Sequence, residues 1–142
     1  MFRTLDDRVL VAPQIDASQI AEAAAQGVTL VVNNRPDGES PDEPQGAEIE
    51  AAARAAGLDY VAIPVGHGGF SQPQVDAMQA ALDGAAGKTL AYCRSGTRST
   101  LLWSLARAKA GDAPATLHEK ANGAGYDLTP VAALIDMLAA KK

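Results

Sequence analysis

Apolar residues follow two rhythms along this chain. Short runs rich in Val, Leu and Ile, "RVLVA" (8–12), "VTLVVNN" (28–34), "LDYVAIPV" (58–65) and "KTLAY" (88–92), alternate with alanine-rich stretches whose larger apolar residues recur every three or four positions. The runs predict strands, and the continuous apolar run at 28–34 predicts a buried one, since a sheet covered on both faces has no polar side to alternate with. The alanine-rich stretches predict helices over "ASQIAEAAAQ", "AEIEAAARAA", "QPQVDAMQAALD" and "STLLWSLARAKA", followed by two more around "ATLHEKAN" and "PVAALIDMLAA".

The punctuation agrees with that alternation. Asp16 and Ser71 are placed to cap helices, Gly27, Gly57, Gly84 and Gly111 to end them, and Thr129 with Pro130 to start the last one. "RPDGESPDEPQG" (35–46), with three prolines and four carboxylates, predicts a loop that is long for a compact α/β unit and that follows a strand. Strand and helix in strict alternation predict an α/β fold with a mostly parallel sheet, and 142 residues suit a single domain over 1–142.

Composition narrows the partners. Apolar residues make up 47% of the chain, enough for an ordinary core, but aromatics only 4%, so alanine must do much of the helix packing. A net charge of −5 argues against nucleic acid or an anionic membrane surface as partner, so any anion must be gripped locally. With one cysteine and two histidines, neither a disulfide nor a structural metal site is expected, and no cofactor motif occurs. The absence of a basic-then-apolar leader or a long apolar run leads us to expect a cytoplasmic protein with a reduced thiol.

That thiol is Cys93, in "AYCRSGTRSTLLW", at the C-terminal end of a predicted strand and just before a predicted helix near Ser99. In open α/β sheets ligands bind in this position. The loop Arg94, Ser95, Gly96, Thr97, Arg98 is expected to turn its amides inward as an anion nest, with Gly96 permitting the tight turn. Amides, helix dipole and guanidinium all favour thiolate over thiol, which makes Cys93 a nucleophile rather than a small core residue. Arg98 is expected to clamp an oxyanion bidentately, Ser99 to donate to the sulfur or a leaving group, and Arg94 to point outward and select substrate.

"CRSGTR" resembles the six-residue Cys-x4-Arg loop of rhodanese-type sulfurtransferases, while the Ser-Thr and helix after it resemble cysteine-dependent phosphatases, whose loop is one residue longer. "VVNNRPDGE", "AARAAGLDYVAIPV" and "LAYCRSGTRSTLLW" together resemble the bacterial phosphatase-like domain family found at the N-terminus of beta-lactamase-hydrolase-like proteins, over about residues 3 to 139. The resemblance implies a cysteine-phosphatase-like three-layer fold, four or five mostly parallel strands flanked by helices, with Cys93 as nucleophile and Arg98 as clamp. Small dual-specificity phosphatases carry an aspartate general acid after the preceding strand, and this chain has none there. His67 falls near that position, as a general acid or simply an exposed loop residue. Asp37 is a second candidate acid or else an Asx-turn or local cap residue, and Arg35 either adds charge to the site or pairs with a carboxylate of its own loop.

Three functions follow. The preferred expectation is sulfur transfer through a Cys93 persulfide, from a sulfane-sulfur donor to a thiol acceptor. The short loop leaves little room for a tetrahedral phosphoryl group, and a weakly basic leaving group needs no acid. The alternative is hydrolysis of a phosphoric monoester through a phosphocysteine. The third is a non-catalytic anion-binding or redox-sensing module. The remaining acidic residues of the long loop, Glu39, Asp42 and Glu43, are expected to be solvated.

Overall fold

A computed structural model describes residues 2–39, 45–66 and 69–140. Its sheet contains β1 (Arg3–Thr4), β2 (Val9–Ala12), β3 (Val28–Asn33), β4 (Asp59–Ala62) and β5 (Lys88–Tyr92), in the spatial order β1-β2-β5-β3-β4. All pairings are parallel except β1 with β2, a two-residue edge that the apolar pattern did not reveal because Arg3 and Thr4 are both exposed. The three inner strands are the predicted apolar runs. Every residue of β2 is buried, as is all of β5 after Lys88, because helices cover both faces.

The helices α1 (Ala17–Ala25) and α2 (Gly46–Ala55) lie on one face, where Ile20, Ala23, Ile49 and Ala53 pack on Leu10, Val31, Leu90 and Tyr92. The opposite face carries α3 (Gln72–Gly84), α4 (Thr97–Ala110), α5 (Pro114–Gly123) and α6 (Ala132–Ala140), whose Met78, Leu102, Leu105, Leu117 and Ile135 cover Val11, Val32 and Ala91. The result is the three-layer α/β arrangement expected from the sequence. Trp103 is fully buried in the second layer, and its indole N–H donates to Asp6 at 3.3 Å.

The caps fall mostly where the sequence puts them. Asp16 accepts from the backbone of Gln19 and Gln19 accepts from that of Asp16, a capping box that opens α1, and Gln74 accepts from Ser71 N at the start of α3. Gly84 ends α3 as its last residue, with the chain turning extended at Ala85. One expectation needs correction. Thr129 and Pro130 form a 3-10 turn ahead of α6 with Leu128 at its N-cap position, and the Asp127 carboxylate just before it accepts from Thr129 N at 2.9 Å. Among the described residues, no helix is long and apolar enough to cross a membrane.

Candidate active site

Strand β5 leads into α4 on one face while its neighbour β3 leads, through the long loop, into α2 on the other. Adjacent strands whose continuations part in this way leave a crevice beyond their carboxyl ends. Cys93 stands there, immediately after β5, with its side chain fully buried. Its sulfur accepts a hydrogen bond from Gly96 N at 3.1 Å. Gly96 has a left-handed φ of 89°, which an L side chain rarely adopts, and α4 begins at Thr97. The helix thus opens two residues earlier than its apolar rhythm indicated, which aims its first-turn amides and positive dipole end at the loop.

The loop's carbonyls are turned away from the sulfur by partners outside it. Arg94 O accepts from Gln14 N at 3.3 Å, Ser95 O from the Tyr126 hydroxyl at 3.1 Å, and Gly96 O from Thr100 Oγ1 at 2.9 Å. A trans peptide with its C=O facing outward has its N–H facing inward, so the amides of Ser95 and Gly96 point into the crevice. Thr97 N donates to Ser95 Oγ at 3.4 Å, and Arg94 and Ser95 expose their side chains to solvent.

Arg98 is gripped by Glu39. Its Nη1 and Nη2 donate to the two carboxylate oxygens at 2.8 Å each, and Nη1 also donates to Val65 O at 2.6 Å. Arg35 Nε donates to the same carboxylate at 2.9 Å, and Arg35 Nη1 donates to Gln14 Oε1 at 2.8 Å. Hydrogen bonding from Arg98, reinforced by Arg35 against the cost of burial, brings the Glu39 carboxyl from its ordinary 4.5 down to about 2. Reciprocally, Glu39 first and the Cys93 sulfur after it hold Arg98 more firmly protonated. These bonds use the end of the guanidinium. On its side edge, Nε and one Nη2 hydrogen have no oxygen acceptor among the described residues.

This corrects the reading of Glu39 as a solvated loop carboxylate: its side chain is only 14% exposed and it is the keystone of two arginines. It also answers the question over Arg35, which pairs with its own loop and through that pair stands beside Arg98. The sequence carried a weak signal for Glu39, a single carboxylate four residues after Arg35 in a loop leaving a buried strand.

The expected donation from Ser99 to the sulfur is absent. Ser99 Oγ donates instead to Asn34 Oδ1 at 2.8 Å, and Asn34 Nδ2 donates to Ile63 O at 3.0 Å. Both side chains are fully buried, so each polar group needs a protein partner and the pair ties the first turn of α4 to the end of β3. Asp37 accepts from Gly46 N at 2.7 Å, satisfying the first amide of α2, and it is exposed. His67, together with Asp42 and Glu43, lies outside the described residues. Asn34 and Tyr126 went unnoticed in the sequence, because neither belongs to the Cys93 motif and only folding brings them to it.

Several known proteins are similar to this chain. Residues 1–110 match the family described as beta-lactamase hydrolase-like protein, phosphatase-like domain. A beta-lactamase hydrolase-like protein of Agrobacterium fabrum is 35% identical over 107 residues, 75% of this chain and 25% of that protein. The match thus spans about a quarter of the length of that curated relative. A crystal structure from Neisseria meningitidis, assigned as a candidate phosphatase, superposes with a TM-score of 0.83 at 28% identity, covering 96% of each chain. At 17% identity the likeness to Pseudomonas aeruginosa TpbA, solved in complex with phosphotyrosine, concerns the fold alone (TM-score 0.70, 99% of this chain and 88% of that one).

Proposed function

We propose, for a chain that belongs to the phosphatase-like domain family of beta-lactamase hydrolase-like proteins, that it hydrolyses phosphoric monoesters through a phosphocysteine on Cys93. The observation that supports this most directly is the pairing of the Cys93 sulfur, which accepts from Gly96 N, with the Arg98 guanidinium, on which it acts by charge and hydrogen bonding. A planar Nε/Nη2 edge meets two oxygens of a phosphoryl group at once, which a lysine does not do. The likeness to phosphatases along nearly the whole chain supports phosphate as the anion, ahead of the sulfane sulfur that loop length alone favours.

In this reading the Cys93 thiolate attacks phosphorus, forming the S–P bond as the bond to the ester oxygen breaks. The amides of Ser95 and Gly96 and the Arg98 edge hold the equatorial oxygens, where charge gathers in the transition state. Water then attacks phosphorus, the S–P bond breaks, and inorganic phosphate and the thiolate are released. The Asn34–Ser99 pair fixes the start of α4 so that the amides and Arg98 keep their aim. Glu39 holds the guanidinium end-on, which leaves its side edge for the anion.

His67 and Asp37 are the candidate proton donors to the leaving alkoxide. With Asp37 engaged by Gly46 N, weakly basic leaving groups are favoured, so aryl phosphates should be turned over faster than alkyl phosphates. The four-residue spacing between Cys93 and Arg98 keeps sulfur transfer as a second reading. Purified protein is incubated with p-nitrophenyl phosphate and, separately, with thiosulfate and cyanide, with Cys93→Ser as control and mass spectrometry of the adduct. Turnover of the ester with a Cys93-dependent phosphate adduct supports the first reading. A persulfide with no phosphatase turnover replaces it with the second.

A further inference from the structure

The Ser95–Gly96 peptide is held at both ends. Its C=O accepts from the Tyr126 hydroxyl at 3.1 Å, and its N–H donates to the Cys93 sulfur at 3.1 Å. Because the peptide is planar and trans, the two bonds share one orientation: rotating the carbonyl away from Tyr126 swings the amide away from the sulfur. Gly96 on the far side has no Cβ and a left-handed φ, so its own backbone resists such a rotation weakly. We infer that Tyr126 is a positioning residue for the Cys93 nucleophile, acting through the Ser95–Gly96 peptide to hold an amide donor on the sulfur.

Tyr126 is itself fixed in place. It follows Gly125, whose φ of 90° turns the chain after α5, and its N–H donates to Ala121 O at 2.9 Å. Arg3, from β1, donates to Ala124 O at 2.8 Å and places its guanidinium 5.7 Å from the centre of the tyrosine ring. A Cβ on Gly96 would overlap the Tyr126 hydroxyl, so the contact with the loop is close. Burial, and the negative charge of a Cys93 thiolate, raise the Tyr126 phenol above its ordinary value, against the pull of Arg3. The hydroxyl therefore remains a donor at neutral pH. Tyr126 stands beyond residues 1–110, the part matched to the family, so the segment after α4 supplies a component that the matched region lacks.

The inference rests on Cys93 being a thiolate nucleophile and not on which group it transfers, so the test reads the thiol directly. Tyr126→Phe keeps the ring and its packing on Arg3 and removes only the donor. The rate of Cys93 alkylation by iodoacetamide is measured from pH 6 to pH 10 for both proteins, alongside their thermal melting. The charged groups nearest the loop, Arg98 with Glu39 and Arg35, and Arg3 behind the ring, are unchanged in the variant. At pH 7 the variant is expected to react about three- to tenfold more slowly, the scale of one lost orienting hydrogen bond, with the two rates converging at pH 10. An unchanged pH 7 rate overturns the inference. So does an equal slowing at every pH, which would mean altered access or folding rather than a less stabilised thiolate. Phosphatase turnover plays no part in these outcomes, so failure of the functional reading is separately visible.

Discussion

Replacing Glu39 by Gln keeps the shape of the side chain and removes its charge from between two guanidinium groups. The carboxyl falls from 4.5 to about 2 on folding, mainly through Arg98. At about 1.36 kcal/mol per unit, the native interactions of Glu39 are worth at most ~3 kcal/mol at neutral pH, before solvent screening of a carboxylate that is 14% exposed is discounted. The sign follows from linkage. Between pH 4.5 and 2 the unfolded chain binds a proton here that the native one refuses, so stability present above pH 4.5 is lost on acidification. For these two values the loss relative to neutral pH reaches about 2 kcal/mol by pH 3. Urea unfolding followed by the fluorescence of buried Trp103 measures it, wild type against Glu39→Gln, at pH 6 and pH 3. The stability difference between the two proteins is expected to shrink by about 2 kcal/mol over that interval. A difference of the same size at both pH values would refute the reasoning, since it would trace to packing rather than to the charge.

Three further outcomes are expected. Arg98→Lys keeps a positive charge but has no fork for Glu39 or for an anion, so inorganic phosphate, titrated as a competitive inhibitor, should bind at least tenfold more weakly. Ser99→Ala leaves the buried Asn34 Oδ1 without its donor and should lower unfolding free energy by about 1–3 kcal/mol in chemical denaturation, and combined with Asn34→Ala the loss should be smaller than the sum of the two single losses. Gly96→Ala meets both a left-handed φ and the Tyr126 hydroxyl, so it should cost about 1–3 kcal/mol of stability and reduce Cys93 alkylation at pH 7 together with turnover.

The sequence by itself determined the layers. Three apolar runs, too continuous to face water on one side, required helices over both faces of the sheet, while the fourth became the edge strand β4, none of whose residues is buried; the caps Asp16 and Ser71 and the stops Gly27 and Gly111 marked where α1, α3 and α4 begin or end. It also determined the motif, since Cys93, Gly96 and Arg98 lie within six residues and local geometry alone brings them to one turn. Strand order, by contrast, is a matter of long-range pairing: β5 inserting between β2 and β3 is what places the loop after β3 beside the loop after β5. Only that juxtaposition brings Glu39 to Arg98, 59 positions apart, and Asn34 to Ser99, 65 apart, while Tyr126 reaches Ser95 from the segment after α5. Composition presented Glu39 as one more carboxylate of an acidic loop, and Tyr126 as one of few aromatics. Burial beside particular charges and carbonyls turned one into the keystone of two arginines and the other into a brace for the nucleophile's amide. Helix and strand periodicity is encoded within a few neighbouring residues, whereas partner choice for a polar side chain depends on what the folded chain leaves within about 3 Å of it.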